Sequence, residues 1–219
     1  MDFDLQIKDN ELTICCSEGL KEFAYEFIDY YKDNINDIKN KLMIKTNPKL
    51  LVVITDDEKL ANFVYGKSDF SGFFNDTGAF AYINLHGTKT KDYIIKSLIH
   101  EIIHHLYKYY VYGKDKKRIT WLDEGLAQYL SKQKDYQENY QEFLLDNLKD
   151  KNINLNDLNH EDKSFGNNNG YNLSYIAVRY LFEIYELKEI NKIISDYDRI
   201  IEIGKTILDR AYKYYIEKN

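Results

Sequence analysis

A chain of 219 residues with a formal net charge of −6, 44% hydrophobic and 30% charged, has the balance of an ordinary globular protein, which argues against a disordered or membrane-embedded one. Its acidity also argues against a general binder of nucleic acid or of an anionic membrane, both of which call for a basic surface. The only cysteines, Cys15 and Cys16, are adjacent, so no disulfide can staple distant segments and both read as strand or core residues.

In chain order, Phe3 to Lys8 and Glu11 to Cys15 read as two strands joined at the turn-forming Asp9-Asn10, a hairpin. Ser17 offers an N-cap, and Leu20, Phe23, Ala24, Phe27, Ile28 and Tyr31 recur at helical spacing, predicting a long amphipathic helix. After the single proline, Pro48, the β-branched run Leu50 to Thr55 reads as a strand buried on both faces. Asp56 and Asp57 are expected to cap a short helix through Tyr65. Gly66 to Gly78 reads as a loop and Phe80 to Leu85 as a strand.

From Lys91 the pattern turns helical, with an apolar stripe of Ile94, Ile95, Leu98, Ile99, Ile102, Ile103 and Leu106 ending at Gly113 as a C′ stop. Thr120 is the expected N-cap of a second helix running to about Ser131. Further helices are expected over Tyr136 to Leu148, Tyr171 to Tyr185 and much of 187–217, with a loop at Asn167 to Gly170. The result is an α+β chain read as a single domain over 1–219, with a mixed α/β part (1–90), a mainly helical part (91–219) and an active-site cleft between them. Lys114, Lys116, Lys117 and Arg118 form the nearest thing to a basic patch, read as a solvated loop in preference to a phosphate or partner site.

The first helix of the second part carries His100-Glu101-Ile102-Ile103-His104. Positions i and i+4 share a helix face, so both imidazoles can reach one metal ion at about 2.0–2.1 Å. Glu101 sits about 100° around from His100, where it can hold a bound water instead of ligating. A catalytic zinc takes three protein ligands, and Glu124 in Trp121-Leu122-Asp123-Glu124-Gly125-Leu126-Ala127-Gln128-Tyr129 is the candidate third. A carboxylate on an otherwise apolar helical face needs a partner, and zinc supplies one. Asp123 and Gln128 are candidates to support the ligands. His105 reads as a helix or supporting residue, and His86 and His160 are isolated.

These two segments together resemble the gluzincin metallopeptidases, the family of thermolysin and aminopeptidase N, and the second is close to the Trp-Leu-Asn-Glu-Gly-Phe-Ala pattern of the aminopeptidase branch. The resemblance spans about 78–181. It implies a thermolysin-like zincin fold with zinc on His100, His104 and Glu124, Glu101 as general base, and a peptide or protein substrate. By the same register Tyr171 is the oxyanion-stabilising tyrosine, with Tyr175 as runner-up. The resemblance also places an exposed sheet-edge strand at Gly78 to Leu85, where aminopeptidases carry Gly-x-Met-Glu-Asn to read a free amino group; Phe80, Ala81 and Tyr82 stand there instead.

An endopeptidase-like zinc metallopeptidase is therefore the leading expectation. Its alternatives are an exopeptidase of the same fold and a non-catalytic zinc-binding regulatory protein. The opening Met1-Asp2-Phe3-Asp4 has no basic or apolar signal region, and no stretch approaches about 18 uncharged apolar residues. The expected location is cytoplasmic, or secreted if a signal was removed, and the oligomeric state is open.

Overall fold

A computed structural model of the chain describes residues 4–57, 59, 73–75, 78–82, 90–113, 115–133, 140, 142–143, 146, 153–158 and 164–217. The architecture is mixed α/β and mostly helical. It divides into two compact units, Met1–Leu106 and Tyr107–Asn219.

The first unit is built on a five-stranded mixed sheet in the order β1-β2-β3-β5-β4. Strands β1 (Leu5–Asp9) and β2 (Leu12–Cys16) form the expected antiparallel hairpin. Asn10 takes φ 50 at its turn, a left-handed conformation that asparagine tolerates better than most residues. Strand β3 (Leu50–Thr55) pairs in parallel with both β2 and β5 (Gly78–Tyr82). Leu50, Val52, Val53 and Ile54 are buried, as expected for a strand covered on both faces.

Helix α1 (Lys21–Lys41) buries Phe23, Ala24, Phe27, Ile28 and Tyr31 as the spacing predicts, and continues the stripe through Ile35 and Ile38. Ser17 precedes a short 3-10 turn, Glu18–Leu20, without a side-chain capping bond. Helix α2 (Lys91–Leu106) buries all seven residues of its predicted stripe, packs on β4 and β5, and meets α1. Lys91 donates to Glu26 at 2.9 Å across that contact.

Two expectations for this sheet are corrected. Phe73–Asn75 falls in the predicted loop but forms β4, antiparallel to β5. Strand β5 is therefore an interior strand over Gly78–Phe80, and the sheet edge on this side is β4 and not the strand at Gly78 to Leu85. Strand pairing is a long-range property, and three residues are too few for the alternation that would reveal them. The helix expected after Asp57 lies almost wholly outside the described residues; Asp57 Oδ1 does accept the Lys59 amide at 2.8 Å, as a cap would.

The second unit is helical. It opens with a π-helical stretch, Tyr107–Tyr112, closed by Gly113 at φ 106, the expected glycine stop. Helix α3 (Thr120–Ser131) begins one residue earlier than expected: Thr120 is its first helical residue and Ile119 the N-cap, with no side-chain capping bond. Helix α4 (Ser164–Asn167) takes the first residue of the expected asparagine loop, and α5 (Gly170–Ile184) fills the expected Tyr171 to Tyr185 helix. The end of the chain divides into α6 (Leu187–Ile194), α7 (Tyr197–Gly204) and α8 (Ile207–Tyr212), followed by a π-helical turn, Lys213–Glu217. Asp196 starts α7 afresh by accepting the amides of Asp198 and Arg199. Of the helix expected over Tyr136 to Leu148, the described residues 140, 142, 143 and 146 are helical.

Helix α3 packs closely on α5. A Cβ at Gly125 would stand 2.5 Å from the Ser174 carbonyl oxygen and 2.6 Å from Val178 Cγ2, so only glycine fits this crossing. Trp121 is buried and its Nε1 donates to Asn156 Oδ1 at 3.3 Å, while Asn156 Nδ2 donates to the Ile201 carbonyl at 2.8 Å. One amide thus ties the start of α3 to α7. Among the described residues, no helix is long and apolar enough to cross a membrane.

Candidate metal centre

The apolar stripe fixes the rotation of α2 and thereby aims the chemistry-bearing residues. Leu98, Ile99, Ile102 and Ile103 anchor the helix in the core, and His104 and His105 are buried beside them, while His100 and Glu101 are half-buried. The i, i+4 spacing brings His100 Nε2 and His104 Nε2 to 3.0 Å, the ring planes crossing at 82°. Two nitrogens bound to a tetrahedral zinc at 2.0–2.1 Å stand about 3.3 Å apart, so the pair is already close to that spacing.

Helix α3 carries the acidic residues. Asp123 and Glu124 are buried on an otherwise apolar segment with Trp121, Leu122, Leu126 and Ala127. One ligand atom from each of His100, His104 and Glu124 lies within 4.8 Å of the others, the one group of three potential metal-holding residues found among the described residues. Two imidazoles and a carboxylate are the donor set of a catalytic zinc site that keeps a position open for water. The residues present fit the ion.

One residue of this centre escapes the sequence reading. Arg118 is exposed with Lys116 and Lys117 of the basic patch, as expected, but it is also paired: its Nε donates to Asp123 Oδ2 and its Nη2 to Glu124 Oε1 at 2.7 Å. Burial would lower the affinity of the guanidinium for its proton, but the two carboxylates outweigh it and hold the pKa above the ordinary arginine value. The available signal was the pair of adjacent acids in an apolar helix, which demands a nearby cation. Lys116 is engaged as well, donating to the Ser195 carbonyl at 2.9 Å above the Tyr112 ring; Lys114 lies outside the described residues.

Asp123 therefore does meet the candidate ligand Glu124, through Arg118. Gln128 does not: it is fully buried, and neither amide atom has a hydrogen-bond partner among the described residues. At the start of α5, Tyr171 is 38% exposed with its ring edge-on to Phe165 at 4.8 Å. Tyr175 is buried, its ring beside Tyr129 at 6.1 Å, and burial pushes its hydroxyl pKa up. Cys15 and Cys16 are free thiols in β2; His86 and His160 fall outside the described residues.

The family model described as collagenase matches residues 6–210. The chain belongs to this family of zinc metallopeptidases, hydrolases acting on peptide bonds. Its cofactor is zinc, for which the His/His/Glu cluster is a fitting holder. No curated protein matches the chain.

Proposed function

We propose that the chain is a single-domain endopeptidase of the gluzincin kind, with a thermolysin-like zincin fold and zinc held by His100, His104 and Glu124. The observation that carries this reading is the convergence of one donor atom from each of these three residues within 4.8 Å. Zinc, when bound, acts as a Lewis acid and makes a water acidic enough to attack near neutral pH. Glu101, the next residue after His100 and only half-buried, takes the proton of the attacking water and returns it to the departing amine. Tyr171, exposed at the first turn of α5, donates its hydroxyl to the oxyanion.

Cleavage within a chain is favoured over trimming of its end on two grounds. Phe80, Ala81 and Tyr82 replace the residues with which the aminopeptidases read a free amino group, and the family description, collagenase, points to a protein substrate. The test is a peptide library digested by the parent protein and by E101Q, read by mass spectrometry. Internal cleavage of peptides with blocked N-termini is expected, with E101Q retaining zinc and losing about 10²- to 10⁴-fold in rate. Cleavage confined to free N-termini would favour the exopeptidase, and unchanged turnover in E101Q would remove Glu101 from its role.

A further inference from the structure

The side chain of Arg118 meets two carboxylates with one edge. Nε and Nη2 lie on the same side of the guanidinium plane's fork, and each takes one oxygen from a different residue, Asp123 Oδ2 and Glu124 Oε1. A guanidinium that gripped Glu124 alone would engage both of its oxygens in the usual fork-to-fork pair. Sharing the edge with Asp123 limits Arg118 to one oxygen of Glu124. The same contact bears on the position of the carboxylate, because Arg118 precedes the helix and reaches forward over its first turn, while the next residue, Gly125, packs its backbone closely on α5.

Charge adds a second argument. Asp123 and Glu124 are neighbours on one helix and both are nearly fully buried, at 3% and 6% exposure. Two like charges so close repel each other, and a cation placed between them offsets that repulsion. Arg118 stands between them, paired with one oxygen of each.

We infer that Arg118 is a positioning residue for the metal centre: it holds the Glu124 carboxylate in place as a zinc ligand while Asp123 keeps the guanidinium from capturing both oxygens of that ligand. This rests on the reading of Glu124 as a ligand. Outer partners of metal ligands typically affect metal affinity by about 10- to 100-fold.

The test measures Zn²⁺ affinity of the full chain by competition with a chromophoric chelator, together with thermal melting of the metal-free protein, for the parent, R118A and R118K. R118A is expected to bind zinc about 10- to 100-fold more weakly. R118K keeps a positive charge but not the flat two-donor edge, so its loss falls between the two, above about 3-fold. If R118A fails to fold, R118K decides alone. Zinc affinities within about twofold of the parent in the folded variants, even with lowered melting temperatures, would reduce Arg118 to a helix-stabilising residue and overturn the inference. A parent chain that binds no zinc would instead overturn the metal reading, and this inference with it.

Discussion

The helices α2 and α3 both bury ionisable side chains, yet they make that burial tolerable by different means. Helix α2 offers imidazoles, which can enter an apolar setting as neutral rings, and His104 is buried on a helix whose core face is lined with isoleucines. Helix α3 offers a carboxylate, which must stay charged to bind metal and is costly to bury unpaired. It therefore comes with a second carboxylate and the guanidinium that serves both. The type of ligand dictates how much of its surroundings must be specified.

The contrast can be broken most severely on the α2 side. H104A removes a proposed ligand and should reduce zinc content and peptide hydrolysis to background, measured by metal analysis and a fluorogenic peptide assay; retained zinc-dependent turnover would remove α2 from the centre. Y171F, on α5, should leave zinc in place and slow hydrolysis by about 10²- to 10³-fold. An unaffected rate would shift the oxyanion role elsewhere, with Y175F the next variant to assay.

Smaller effects sharpen the comparison. G125A forces a methyl group against the Ser174 backbone, and overpacking of this kind costs about 1–3 kcal/mol, a fall in Tm of about 2–12 °C for a chain of this size. Metal-free R118A should melt lower than metal-free H100A. The former removes the guanidinium shared by two buried carboxylates, at a cost of about 1–3 kcal/mol after allowance for its half-exposed side chain, whereas the latter removes a half-buried ring for under about 1 kcal/mol. Equal melting temperatures would mean that the carboxylates do not depend on Arg118. R199A, which breaks a surface pair with Glu189, should change stability by less than about 0.5 kcal/mol.

What the sequence disclosed follows the same division. The histidine pair was legible because helical spacing alone brings its nitrogens together, and the β1-β2 hairpin and the Gly113 stop were legible because turn and cap chemistry is local. The sheet order was not: β4 is three residues long, and its pairing with β5 depends on where distant strands meet. Arg118 was hidden for a related reason. It lies in a lysine-rich stretch before its helix, outside any periodic pattern, and its partners are defined only once Asp123 and Glu124 are seen to be buried. Thr120 stands at the first helical position instead of the cap because nothing in the local pattern separates positions one residue apart.

The central claim is that α2 and α3 together hold one zinc ion, and the zinc content of purified E124A beside the parent tests it most directly. About one zinc per chain in the parent and less than about a tenth of that in folded E124A is the expected result. Equal zinc content in the two proteins would contradict it.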